Sequence, residues 1–286
     1  MNMITELSPS KSSMFCFFLL IFSLLTAPSS SSTNSFIYGG CTQLKYAPAS
    51  PYESNVNSIL TSVVNSASST SFNNFKISLP GSTQNDIVYG LFQCRGDLTN
   101  SDCHDCVVHA VSQLGTLCVG TSGGALQLEG CYVKYDNISF LGVADKTVVY
   151  KKCEPSIGYD DSDSLTRRDA VLAYLAGGGQ YFRVGGSGKV QGIAQCVQDL
   201  SMSACQDCLS EATGRLRNEC GGSAWADMFL AKCYVRYSER GYHSKSENDD
   251  EMEKTLAIII GLIVGVAVII VLLSALSKLW EKKGGK

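Results

Sequence analysis

The residues whose types and spacing could do chemistry are cysteines, and they come in one phrase written twice. "CRGDLTNSDCHDC" runs from Cys94 to Cys106, and "CVQDLSMSACQDC" runs from Cys196 to Cys208. The C-x-x-C inside each has the spacing of a zinc knuckle or of a redox dithiol. His104 beside Cys103 also suggests a Cys/His nucleophile. The third alternative is a structural staple, in which the cysteines are disulfide-bonded and carry no chemistry of their own. The compartment separates these readings, because thiols pair in oxidising surroundings.

The N-terminus supplies the compartment. Lys11, the apolar run "MFCFFLLIFSLL" (Met14 to Leu25) and the small, polar "TAPSSSSTNS" follow the order of a secretory signal, whose core is too short to span a bilayer. Residues 1–32 are therefore expected to be a signal peptide. Cys16 lies inside it, which leaves 12 of the 13 cysteines in the mature chain. Near the other end, "TLAIIIGLIVGVAVIIVLLSALS" (255–277) carries no charge. As a helix it extends about 34 Å, enough to cross a hydrocarbon core of about 30 Å. Acidic "ENDDEME" precedes it, and Lys278, Lys282, Lys283 and Lys286 follow. The positive-inside rule then places the tail, 278–286, in the cytosol, as type I topology. That tail is too short for a kinase or any other folded domain, so recognition by a folded surface is expected outside the cell.

The remaining length suits two domains of about 100 residues. A constant offset of 102 carries Cys94, Cys103, Cys106, Cys118 and Cys131 onto Cys196, Cys205, Cys208, Cys220 and Cys233. Gly90 and Gly192, Gln93 and Gln195, Asp97 and Asp199, and "CYVKY" and "CYVRY" keep the same register. This is a duplication. Assigning both Cys41 and Cys153 to the first module would leave an odd thiol in each, whereas one each gives six and six. Cys153 follows what looks like the last strand of module one, yet this count makes it the opening of module two. The expected limits are 35–147 and 148–242, followed by a charged stalk, 243–254.

These cysteines need elements to hold them. Val56, Ile59, Leu60, Val63, Val64 and Ala67 recur at helical spacing, and "SLTRRDAVLAYLAGG" supplies the counterpart in the second repeat. A second helix is predicted near each C-x-x-C, where Val107, Ala110, Val111 and Leu114 match Leu209, Ala212, Thr213 and Leu216. "NFKIS", "IVYGLFQC", "ALQLEGCYVKY" and "KTVVYKKC" are β-rich and often alternate, as strands with one covered face do. The expected fold class is α+β: two tandem disulfide-stapled modules, each with two helices on an antiparallel sheet, then one transmembrane helix.

With C-x8-C-x2-C at Cys94, Cys103 and Cys106 and further cysteines at Cys118 and Cys131, the repeat resembles the plant ginkbilobin-like, or stress-antifungal, module. Two such modules with a signal, one span and a very short tail resemble the plasmodesmata-located proteins. Cysteine-rich receptor-like kinases share the ectodomain and add a kinase, which is not expected here. The resemblance implies the pairs Cys41–Cys118, Cys94–Cys103, Cys106–Cys131, Cys153–Cys220, Cys196–Cys205 and Cys208–Cys233; spacing alone leaves 15 pairings per module open. On that pattern the phrase staples a strand end to a helix start. It also implies a plasma-membrane protein at plasmodesmata that modulates cell-to-cell trafficking, with callose-linked closure and use by viral movement proteins as family-level expectations.

The competing chemistry is weaker. Zinc and a redox dithiol both conflict with an evenly partitioned set of secreted cysteines. The second repeat puts Gln206 where the first has His104, and the only histidines are His104, His109 and His243, so no Ser/His/Asp set stands out. Asp97 and Asp199 sit where turn carboxylates cap backbone. The expectation is a non-enzyme with no cofactor, no metal and no nucleic-acid partner.

Glycan binding is the main alternative, and co-receptor for a cysteine-rich receptor-like kinase the other. A mannose-binding member of the family uses an Asn after the first cysteine, an Arg before the last and a Glu after it. The matching places here hold Thr42, Ala125 and Asp136, then Glu154, Asp227 and Ser238, so that set is not retained. Tyr132, Tyr135, Tyr234 and Tyr237 could offer stacking faces, though strand alternation predicts one core and one exposed residue in each pair. Asn137-Ile138-Ser139 is a sequon, which makes Asn137 the expected glycan acceptor. Within the span, Ala257, Gly261 and Gly265 form a ridge of small residues suited to helix association. Expected partners are the membrane, further copies of the chain, other plasmodesmal or receptor-like proteins, viral movement proteins and cell-wall glycan.

Overall fold

The computed structural model describes residues 32–80, 83, 86–154, 162–239 and 259. Residues 1–31 of the expected signal segment, the expected stalk, Ala257, Gly261, Gly265 and the expected cytosolic tail lie outside the described residues. Among the described residues no helix is long and apolar enough to cross a membrane. The chain forms two compact units, Met1–Ala144 with Val197–Ser201, and Asp145–Cys196 with Met202–Lys286.

In unit 1 a 3-10 turn, Ser32–Asn34, precedes strand β1 (Phe36–Cys41) and helix α1 (Pro51–Ala67). Helix α1 starts where local chemistry dictates. Ser50 is the N-cap and its hydroxyl accepts from Glu53 N, Pro51 occupies the first turn, and Glu53 Oε2 accepts from Ala49 N at 2.6 Å. Its apolar stripe buries Val56, Ile59, Val63 and Ala67. After β2 (Phe72–Ile77) and β3 (Val88–Cys94), Thr99 caps helix α2 (Asn100–Leu117), with its hydroxyl accepting from Asp102 N. The helix therefore begins before Cys103 and carries both cysteines of the C-x-x-C in its first turns. Strands β4 (Gly124–Leu128) and β5 (Cys131–Asp136) follow, so "ALQLEGCYVKY" is a hairpin turning at Glu129-Gly130. The sheet is antiparallel in the order β1-β4-β5-β3-β2.

Unit 2 repeats the plan with β6 (Val148–Cys153), α3 (Ser162–Leu175), β7 (Phe182–Ser187), β8 (Val190–Cys196), α4 (Met202–Glu219), β9 (Trp225–Leu230) and β10 (Cys233–Glu239). Its sheet order is β6-β9-β10-β8-β7. Strand β6, which looks from sequence like the last strand of module one, is the edge strand of the second sheet and pairs with β9. Each unit holds three disulfides: Cys41–Cys118, Cys94–Cys103 and Cys106–Cys131, then Cys153–Cys220, Cys196–Cys205 and Cys208–Cys233.

The shared glycines have a steric cause. A Cβ on Gly90 would stand 2.9 Å from Ile59 Cδ1, and one on Gly192 2.7 Å from Leu175 Cδ1 and 2.8 Å from Val171 Cγ1. In both units the first helix lies directly on a glycine of the strand beneath it. The main cores form between sheet and helices. Unit 1 also buries Leu91, Tyr132, Phe140 and Val197 together on the opposite face of its sheet. That cluster explains why Tyr132 is buried, where alternation alone predicts one exposed tyrosine in the pair. In unit 2 the alternation holds better, with Tyr237 buried and Tyr234 partly so.

Candidate functional site

The cysteine phrase ends as a staple. Cys103 and Cys106 sit one turn apart on α2 and bond in different directions, to Cys94 at the end of β3 and to Cys131 at the start of β5. Cys205 and Cys208 do the same on α4. A dithiol switch needs the two cysteines of C-x-x-C bonded to each other, and here neither pair is. His104 Nδ1 lies 3.5 Å from Asp105 Oδ1, while His109 lines a shallow pocket with Thr33, Asn34, Asp102, Asp105 and Val108. Among the described residues no group of three His, Cys, Asp or Glu could hold a metal. Asp97 is paired with Arg95 at 2.7 Å, and Asp199 accepts from Gly142 N at 3.0 Å. Asp97 therefore serves a neighbouring charge pair, and Asp199 holds a backbone amide 57 residues earlier in the chain, in place of the local cap expected from sequence.

Of the positions that match the sugar-binding set, Thr42 and Asp136 of unit 1 come together, with different chemistry. In unit 1, Thr42 and Asp136 meet over Gly123, where an added Cβ would stand 2.7 Å from Thr42 Cγ2 and 3.0 Å from Asp136 Cγ. Thr42 Oγ1 lies 3.0 Å from Ser122 Oγ, and Asp136 Oδ1 accepts from Ile138 N at 3.1 Å. Beneath them Tyr52 donates to Ser122 O at 2.5 Å; burial first, then the Asp136 charge, pushes its phenol well above the ordinary tyrosine range. In unit 2, Asp227 accepts both Arg236 nitrogens at 2.7 and 3.0 Å, and Ser223 Oγ donates to the Glu154 carbonyl at 2.6 Å.

Around that ion pair the outer face of sheet two gathers groups that sequence reasoning passed over. Lys152 Nζ stands 5.5 Å above the Trp225 ring, and Arg236 lies 5.6 Å from the centre of Phe229. Phe229 in turn stacks on Tyr234 at 4.9 Å and meets Tyr150 edge-on at 5.8 Å. The signal was available: Trp225, Asp227 and Phe229 alternate with core residues along β9, and Tyr234 and Arg236 do so along β10, so period 2 puts all five on one face. Phe229 itself is buried, so the accessible part of this face is Lys152, Trp225, Tyr234 and the Asp227–Arg236 pair, groups that suit recognition of another macromolecule. In unit 1, Asn137 follows β5, and Ile138 and Ser139 of its sequon are exposed, so the acceptor lies in an accessible loop.

The sequence profile of the salt stress response/antifungal family matches residues 40–138 and 156–240. Plasmodesmata-located protein 6 of Arabidopsis thaliana is 57% identical over 284 residues, covering 94% of this chain and 97% of that protein. The crystal structure of the tandem DUF26 ectodomain of the Arabidopsis thaliana cysteine-rich receptor-like protein PDLP5 superposes with a TM-score of 0.68 at 45% identity, covering 72% of this chain and 99% of that one. That of PDLP8 gives 0.69 at 45% identity, covering 73% and 100%. Repeat, disulfide frame, fold and sequence agree, and the chain belongs to the salt stress response/antifungal (DUF26) family, among its plasmodesmata-located members with two tandem domains.

Proposed function

We propose that the chain is a non-enzymatic type I plasma-membrane protein of plasmodesmata whose two cysteine-rich units, held in the apoplast, recognise other proteins and so modulate cell-to-cell trafficking. Support comes first from the relatives' plasmodesmal location over nearly the full length of both chains. The observation that carries the mode of action is the surface of sheet two. Asp227 with Arg236, and Lys152 with Trp225, are arranged as contacts between side chains, and both C-x-x-C pairs are engaged in structural disulfides. Partners of this surface are other plasmodesmal or receptor-like proteins, and viral movement proteins that use the same route; callose-linked closure is the downstream effect.

The test is imaging of the tagged full-length chain in leaf epidermis beside a plasmodesmal marker, with the spread of a mobile fluorescent protein measured at raised and lowered expression. Punctate wall signal with altered spread is expected. Uniform plasma-membrane signal with unchanged spread defeats the proposal. The glycan reading is favoured by one feature, the Trp225 ring beside paired polar groups, and a glycan array probed with the ectodomain separates it: saturable sugar binding lost in Trp225→Ala would replace protein recognition with wall-polysaccharide recognition. Recovery of a receptor-like kinase by ectodomain-dependent cross-linking would instead favour the co-receptor reading.

A further inference from the structure

The two units put different chemistry at the same edge of the same fold. β1 and β6 are the corresponding edge strands and pair in the same register: Gly39 opposite Leu126 and Gly40 opposite Ala125, Lys151 opposite Met228 and Lys152 opposite Asp227. In unit 2 this edge is charged. Lys151 Nζ is 2.9 Å from Glu219 Oε2 at the end of α4, and Arg215 is 3.5 Å from the same carboxylate. Applied to these positions, the repeat offset puts Leu117 where unit 2 has Glu219 and Gln113 where it has Arg215. Leu117 is 50% exposed and Phe36 57% exposed. A Cβ on Gly39 would stand 2.6 Å from Leu117 Cδ2, so the leucine lies directly over the glycine. Phe36, Ser112, Gln113, Thr116, Leu117 and Leu126 line a shallow groove beside the strand, with no charged side chain among them.

An open edge strand presents unpaired backbone groups, and proteins ordinarily guard such an edge with lysine or another charge. The β6 edge is guarded in that way; "FIYGGC" of β1 carries no charge at all. We propose that β1 is the edge through which two copies of this chain associate, their β1 strands running antiparallel across a two-fold axis while Phe36 and Leu117 of each copy cover the groove of the other. Charge argues for a second copy as the occupant. A two-fold contact sets each residue against its own kind; two β1 edges meet without like charges, whereas two β6 edges would crowd their lysines together. Gly39 and Gly40 add no side chain at the centre of the strand, and nothing lies within 4 Å of where a Gly40 Cβ would be. Such an interface would let the chain self-associate independently of where in the cell it acts.

The repeat supplies its own test variant. Gly39→Lys with Leu117→Glu moves the ion pair of unit 2 to the matching place in unit 1 and removes the leucine that a side chain at 39 would strike. The full-length chain in detergent is followed by mass photometry across a concentration series and by hydrogen–deuterium exchange at its two ends. The expected wild-type result is a reversible dimer in which the amides of 36–41 gain protection as concentration rises. In the double variant the dimer should weaken about tenfold or more, and that protection should disappear while the unfolding midpoint holds. Leu117→Glu alone, which leaves every residue of β1 unchanged, serves if the double variant misfolds, and Val184→Lys on β7, 59% exposed, should leave the dimer intact. A chain that stays monomeric, a dimer whose β1 amides exchange alike at all concentrations, or a dimer indifferent to both Leu117 variants would each overturn the proposal.

Discussion

Tyr135 and Tyr237, at the same place in the two repeats, make the same bond: each buried hydroxyl donates to the carbonyl fourteen residues earlier, at 3.1 Å to Thr121 and 2.9 Å to Ser223. Each ties the loop after the long-range cysteine, Cys118 or Cys220, to the central strand of its sheet. Removing either hydroxyl leaves a buried carbonyl short of a donor. Tyr135→Phe or Tyr237→Phe should therefore cost about 1 kcal/mol. For a unit of this size that lowers the unfolding midpoint by about 4–8 °C. Calorimetry of the two single variants checks it, and an unchanged midpoint in both would remove the hydroxyls from the account of stability.

Gly192 should resist substitution while Gly40 accepts it. A side chain at 192 must displace Val171 and Leu175, and it also meets the Arg236 carbonyl at 3.0 Å, which cannot yield as a side-chain end can. Gly192→Val should destabilise unit 2 by about 1–3 kcal/mol through overpacking. Gly40→Ala meets nothing and should stay within about 0.5 kcal/mol of the parent. Denaturant titration of both variants gives the comparison, and equal effects would show that the helix moves freely over the strand.

Alkali should unfold the units in step with their buried phenols. Burial pushes Tyr38, Tyr52, Tyr135 and Tyr237 above the ordinary value of 10.0. A folded-state value raised in this way contributes stability that is fully present below about pH 10 and is lost as pH climbs toward the folded value. Far-ultraviolet dichroism should hold to about pH 10 and then fall together with a late rise in tyrosinate absorbance. Complete tyrosine ionisation near pH 10 in a chain that keeps its native dichroism would contradict the buried geometry.

How far the sequence reveals this molecule depends on whether a signal is local or relational. The duplication and the four helices are legible because cysteine offsets and 3.6-residue stripes are local, and Gly90 and Gly192 stand out because a helix must touch a strand there. Strand β1 is missed: "FIYGGC" has two glycines and one bulged pair, so it shows no alternation, and only its pairing with β4 makes it a strand. The ownership of β6 is legible only through the cysteine count that gives Cys153 to the second module, since its strand neighbour is β9, far along the chain. Tyr132 looks half-exposed until the second face of its sheet is seen to be covered by Phe140 and Val197. At the surface, Trp225, Asp227 and Arg236 carry correct alternation, but their convergence needs the β9–β10 register that sets Asp227 opposite Arg236.

The span expected at 255–277 offers the last prediction, argued from sequence because Ala257, Gly261 and Gly265 lie outside the described residues. Lys278, Lys282, Lys283 and Lys286, which follow the expected span, can orient the chain and touch anionic lipid. Ala257, Gly261 and Gly265 recur every four residues amid Ile, Val and Leu, the spacing that lets two helices approach closely. Lipid already solvates the apolar surface, so close packing is the term a substitution changes. Gly261→Ile with Gly265→Ile should leave insertion and glycosylation at Asn137 as before, while reducing cross-linked dimer of the full chain and its punctate wall signal at equal expression. On the proposed type I topology the β1 edge lies outside the bilayer, and it should keep its concentration-dependent exchange protection in this variant. If dimer and puncta both persist at parental levels, the span is only an anchor and contacts between the folded units hold the assembly.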